Sequence, residues 1–237
     1  MAAPHTAARV AAPPLIFDLR SDSVREVNRR LHDPDGAGRV LISNPDGRHA
    51  LAVGIDAPYE VEIDGHVGYY CAGMNKRATV VVRGNCGVGV AENMMSGRVI
   101  VEGSASQAAG ASARGGLLVI GGNASARCGI SLKGADIVVR GSVGHMSAFM
   151  AQRGCLVVCG DAGEALGDSL YEARIYVRGE VASLGADCVA KEMRAEHLKQ
   201  LTQLLAAAEV DADPSEFRRY GSARQLYNFK IDNVGIY

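Results

Sequence analysis

Tryptophan is absent from the chain, and phenylalanine occurs only four times. So sparse an aromatic supply is a poor fit to a protein that stacks bases or sugar rings on its surface. Charge is nearly balanced: the formal net charge is -1, which favours neither nucleic acid nor an anionic membrane surface. No apolar run approaches the ~20 residues needed to span a bilayer. The opening stretch MAAPHTAARVAAPP lacks the apolar core of a secretory signal and reads as a frayed tail over residues 1–14. No CxxC occurs among the six cysteines. Cys71 and Cys128 share a repeat phase but sit three coils apart, roughly 14 Å at the strand spacing. Cys155 and Cys159 bracket one strand, roughly 13 Å apart. Both separations exceed the reach of a disulfide. These thiols are expected to be free and structural, in a reducing, cytoplasmic setting.

Glycine, by contrast, is abundant, and most of the 29 fall between Gly65 and Gly185. One phrase recurs there seven times: VEIDG, VVVRG, VIVEG, LVIGG, IVVRG, LVVCG and IYVRG. The closing glycines are Gly65, Gly84, Gly103, Gly122, Gly141, Gly160 and Gly179, each 19 residues after the last. A fixed period of this length marks a solenoid. Within each phrase the positions four and two before the glycine are apolar and mostly β-branched, from Val61/Ile63 to Ile175/Val177. That period-2 spacing predicts a short strand with one buried face. Small residues recur at Ala78, Gly97, Gly116, Ala135, Gly154 and Ala173. The glycines are expected to supply left-handed dihedrals at the turns and room at the corners. Each copy runs the same way, so the strands pair in parallel and seven coils give a rod roughly 30–35 Å long. The expected fold is an all-β parallel β-helix, right-handed by the bias of crossover connections. Left-handed hexapeptide coils need an apolar residue every six positions and coils of 18, which this chain does not have.

The pattern in GYYCAGMNKRATVVVRGNCGVGVAENMMSG and GDAGEALGDSLYEARIYVRG resembles the GXGXG family. That family includes the C-terminal β-helix of the glutamate synthase large subunit and a subunit of formylmethanofuran dehydrogenase. A separate chain with these flanks is most similar to the GXGXG subunit of N-methylglutamate synthase (methylamine–glutamate N-methyltransferase). The resemblance covers roughly residues 15–237 and is strongest over 50–190. It implies a scaffold without catalytic residues of its own. Its implied partners are an amidotransferase-like subunit and an FMN-binding barrel subunit, so that FMN, with or without an iron–sulfur cluster, sits on a partner. A formylmethanofuran-type one-carbon complex is the alternative within the family, and a free-standing β-helix enzyme the alternative outside it.

The flanks predict a cap over 15–57, coils over 58–188 and C-terminal helices with a docking tail over 189–237. Strands are expected at Leu15–Leu19, Val40–Ile42 and Leu51–Val53. Ser23 with Glu26 spells a capping box before a helix bearing Val24, Val27 and Leu31. An apolar stripe at helical spacing runs from Met193 through Leu198, Leu201, Leu204 and Leu205 to Ala208. Asp213-Pro214 opens a second short helix that Gly221 closes. The tail interleaves Phe217, Tyr220, Tyr227, Phe229 and Tyr237 with cations, and is expected to strap against the solenoid or a neighbour.

Chemistry-bearing residues do not converge. His145 and Glu92 are the tempting base and acid, yet His145 and His66 sit in different phases four coils apart. No His, Cys or carboxylate falls at ligand spacing, and neither a nucleophile elbow nor a dinucleotide fingerprint is present. Catalytic, metal and cofactor-binding residues are therefore expected to be none. One feature does point outward. Between the two inward positions of each strand stand Glu62, Val81, Ile100, Val119, Val138, Val157 and Tyr176. A solvated face would be polar there. From Val81 onward it is an apolar stripe, which implies cover by the helix of 189–210 or by another subunit.

Overall fold

The computed structural model describes residues 13–224, so most of the expected N-terminal tail and the docking tail beyond 224 lie outside the described residues. Nine parallel strands stack in chain order: β1 (Leu15–Asp18), β2 (Gly38–Ser43), β3 (Tyr59–Asp64), β4 (Thr79–Val82), β5 (Arg98–Val101), β6 (Leu117–Ile120), β7 (Lys133–Val139), β8 (Arg153–Val158) and β9 (Arg174–Val177). The period-2 reading fixes what they bury. Every inward pair from Val61/Ile63 to Ile175/Val177 is at most 1% exposed. Each such side chain contributes about 1.5–3 kcal/mol relative to leaving it in water. The register matches the 19-residue phase: Val80 opposes Val99, Leu118 opposes Ile137, and Leu156 opposes Ile175. The fold is a parallel β-solenoid.

Two further ladders close each coil. Val67, Cys86, Ala105, Ala124, Val143, Ala162 and Val181 bridge in parallel along a second side. Along a third side backbone groups bond coil to coil, as in Gly110 N to Val90 O and Gly129 N to Ala109 O, both at 2.8 Å. Here the chain adopts left-handed dihedrals at every second residue, for example at Arg127, Gly129 and Ser131.

Of the two reasons expected for the closing glycines, room applies and the left-handed dihedral, save at Gly65, does not. From Gly84 to Gly179 none has a positive φ; only Gly65 does, at +134°. They stack directly, Gly141 donating to Gly122 O at 3.0 Å and Gly160 to Gly141 O at 2.9 Å. A Cβ on Gly160 would lie 2.8 Å from the Gly141 carbonyl carbon. Clearance is the constraint there, while the left-handed positions are mostly filled by alanine, serine, methionine and asparagine.

The expected cap is two more coils of the same sheet. β1 and β2 pair in parallel with each other and then with β3. Helix α1 (Val24–Leu31) forms the first crossover, with its capping box present and Val27 and Leu31 buried. Leu51–Val53 is a turn and not a strand: Leu51 is fully buried but Ala50 and Ala52 hold positive φ, which breaks an extended run. At the far end β10 (Cys188–Lys191) leads into α2 (Ala195–Ala207). The helix expected after Asp213-Pro214 is a single 3-10 turn, Pro214–Glu216, followed by β11 (Arg218–Ser222). β11 lies antiparallel between β9 and β10. The open edge of β9 needs partners for its backbone groups, and that demand overrides the local helix signal.

Candidate functional site: the outer sheet face and the ends of the solenoid

The outward line is continuous in the sheet: Ile16, Leu41, Glu62, Val81, Ile100, Val119, Val138, Val157 and Tyr176 oppose one another in successive registers. Its far half is covered by the chain itself. Val119, Val138, Val157 and Tyr176 are at most 2% exposed, packed with Leu201, Leu205, Ala208 and Phe217. Polar bonds fix α2 in place. Arg98 donates to Ala207 O at 2.6 Å and Arg140 to Ala208 O at 2.9 Å, so two cations sit on the carbonyl end of the helix, where its dipole favours them. Tyr176 Oη and Arg174 Nη1 both donate to Gln200 Oε1, at 3.0 and 2.7 Å.

Of the near half, only Ile100 packs against that cluster among the described residues. Val81 and Ile100 are half-buried, and Ile16 is 72% exposed. A shallow groove runs beside Ile16, Leu41, Glu62 and Arg83, and another beside Val81, Ile100, Glu102 and Glu209. Arg83 bridges Glu62 at 3.1 Å and also pairs with Glu102, tying three successive coils along the groove rim.

Elsewhere the reactive residue types are dispersed. All six cysteines are buried and unpaired. Burial pushes the thiols of Cys71, Cys128 and Cys155 up to about 12 and that of Cys188 to about 11, so they are poor nucleophiles near neutral pH. Cys155 faces Asp136, whose carboxyl is itself raised by burial. His66 is engaged through Nδ1, which accepts the Asn85 N–H at 2.9 Å. His145 is exposed and its ring makes no hydrogen bond among the described residues. No cluster of three or more His, Cys, Asp or Glu suited to a metal is present among the described residues.

Two features escaped the sequence reading. One is a side-chain ladder at the corner after each closing glycine. His66, Asn85, Ser104, Asn123, Ser142 and Asp161 each accept the backbone N–H of the equivalent residue in the next coil, at 2.8–3.1 Å. Its signal was available, since every residue following a closing glycine carries a side-chain acceptor. The other is a basic recess at the β10–β11 end, whose residues come from four separate segments and share no motif.

No family model matches this chain. It is 62% identical over 226 residues to Protein GlxC of Rhizobium meliloti (strain 1021), a match covering 94% of this chain and 99% of that protein. The chain belongs to the GlxC family. The name GlxC states no activity. No helix among the described residues is long and apolar enough to cross a membrane.

Proposed function

We propose that this chain is a non-catalytic scaffold subunit of a glutamate-synthase-like complex, N-methylglutamate synthase being the specific assignment. In that reading the complex converts methylamine and L-glutamate to N-methyl-L-glutamate and ammonia. The reaction runs on an amidotransferase-like chain and an FMN-binding barrel chain, with any iron–sulfur cluster also on a partner. The thiols here are buried and separated, which does not make a ligand set for such a cluster. The solenoid supplies what positioning needs, a stiff element whose three ladders are bonded coil to coil.

The observation that carries the reading is the uncovered half of the outward line. Where α2 lies on it the line is dry; beyond, it continues through half-buried Ile100 and Val81, is interrupted by Glu62, and resumes at Leu41 and Ile16 toward solvent. These positions span about 20 Å at the strand spacing. An apolar strip crossed by Glu62 and flanked by Arg83 and Glu102 combines greasy and charged groups, as protein-binding surfaces do.

The test is recovery of the tagged full chain from cells grown on methylamine. Two further chains should copurify, one with flavin absorbance, and Val81→Glu should release them while leaving the melting temperature close to that of the parent. Recovery of a tungsten or molybdenum protein instead would move the assignment to a one-carbon complex. A chain that purified alone and turned over substrate would overturn the scaffold reading.

A further inference from the structure

The β10–β11 end of the solenoid holds a recess of about 370 Å³ between β9, β10, β11 and the first turn of α2. Its walls carry five permanent cations: Arg174, Lys191, Arg194, Arg219 and Arg224. Only two carboxylates, Glu172 and Glu196, join them. The whole chain is close to neutral, so this is a local excess and not a reflection of overall charge.

Some of the excess is neutralised from outside the recess. Arg224 reaches Asp187 at 2.9 Å and Arg194 reaches Glu192 at 3.1 Å. Glu196 turns to His197, at 3.4 Å. Arg174, Lys191 and Arg219 have no carboxylate within 4.0 Å among the described residues. Arg174 and Arg219 use one donor each on neutral acceptors, Gln200 Oε1 and the Glu192 carbonyl. The Lys191 ammonium makes no side-chain bond at all among the described residues. Against these three stand two carboxylates without a permanent cation, Glu172 and Glu196, whose partner is the His197 imidazole, which leaves one positive charge uncompensated.

Local geometry adds to the excess. α2 begins here, and its N-cap is Arg194. That position favours a side-chain oxygen, and the positive end of the helix dipole favours an anion, so a cation there is electrostatically misplaced in an empty recess. Burial and then the neighbouring positive charge of Arg219 and Arg174 hold the His197 imidazole below its ordinary value. Arg219, half-buried, is itself lowered by burial and by Arg174 and Arg194, with the Tyr176 and Glu196 charges opposing. Like charges held together in a concave site repel one another and focus a positive field on whatever enters.

We propose that this recess binds a small oxyanion through Arg174, Lys191 and Arg219. The volume suits a metabolite and not a macromolecule. Guanidinium forks match phosphate and carboxylate oxygens in pairs, and the ammonium supplies a third donor. The proposal does not depend on the scaffold reading, since it concerns residues at the opposite end of the sheet from the uncovered strip.

The full chain, purified without phosphate, is titrated by calorimetry with inorganic phosphate and with glutarate, with sodium chloride at matched ionic strength as the reference. At least one dianion should bind saturably and raise the melting temperature. Binding to phosphate alone assigns a phosphate-bearing ligand, to glutarate alone a dicarboxylate, and to both a site that reads charge without selecting shape. Lys191→Gln and Arg219→Gln should each weaken binding about tenfold or more, while Lys133→Gln on β7 leaves it unchanged. Lys191→Gln removes no bond of the folded chain, so it remains informative where Arg219→Gln destabilises β11. The proposal falls if neither dianion exceeds chloride, or if both recess variants bind as the parent does.

Discussion

Gly141 and Gly129 are glycine for different reasons, and substitution separates them. A Cβ on Gly141 would lie 2.7 Å from the Gly122 carbonyl oxygen, backbone that is pinned by the coil below. Gly129 has a positive φ of 69° but its nearest neighbour, Ile137 Cδ1, lies at 3.4 Å, and the equivalent position one coil on is already Ala148. Gly129→Ala should cost about 1 kcal/mol, the strain of a left-handed residue. Gly141→Ala should cost more, about 2–3 kcal/mol of overpacking, and denaturant titration compares the two. The 19-residue phase identifies Gly141 as part of a ladder. It cannot say whether dihedral or clearance is the demand, because both select the same residue. The corner acceptors were legible in the same way but went unread: Asn123→Ala should lose about 0.5–1 kcal/mol with the bond from Ser142 N–H, exposed as it is. His197 makes a pH prediction. Its pKa is lowered on folding, so the unfolded chain binds more protons just below 6.5. Stability is full above that value and declines as pH falls through it. The melting temperature should drop between about pH 7 and pH 5.5, and His197→Gln, which keeps an acceptor for the Arg194 N–H, should flatten the drop.

Among the elements, α2 decides how the outer face is shared between this chain and others. Both halves of its contact are visible in the sequence, as an apolar stripe at period 3.6 over 193–208 and an apolar stripe at period 19 on the strands. Neither pattern states that the two meet, or that the helix leaves Ile100 and Val81 half-buried. That depends on its length and on Arg98 and Arg140, which hold its carbonyl end over the middle of the sheet. Leu201 and Leu205 are buried in the contact. Leu205→Ala should cost about 2–4 kcal/mol, and the loosened helix should raise binding of a hydrophobic dye at Val138 and Val157. β11 was illegible for a related reason. Arg218-Arg219-Tyr220-Gly221 shows no strand alternation, and Asp213-Pro214 does signal a helix start. The vacancy beside β9 is a property of the assembled sheet, absent from any local window. The same holds for the basic recess, where Arg174, Lys191 and Arg219 converge only after β11 has inserted.

Across the whole molecule, stability is close to one-dimensional, because each coil contacts chiefly the coils before and after it. The two ends are not equivalent. β1 ends the sheet with one unpaired edge among the described residues, and its Ile16 stands in solvent. The opposite end is extended by β11 and the edge strand β10, and α2 straps β6 to β9 together through Val119, Val138, Val157 and Tyr176. Opening a coil under α2 must therefore detach the helix and disturb four strands, whereas opening β1 disturbs only β2 and α1. Amide hydrogen exchange should show protection rising from β1 and β2 toward β7–β9. Leu205→Ala should lower protection in β6–β9 while leaving β1–β3 near the parent values, because nearest-neighbour coupling fades over the intervening coils. Equal protection in all nine parallel strands, or a loss in Leu205→Ala that reached β1, would instead mean that the solenoid opens only as a unit, with the strap contributing to every coil alike.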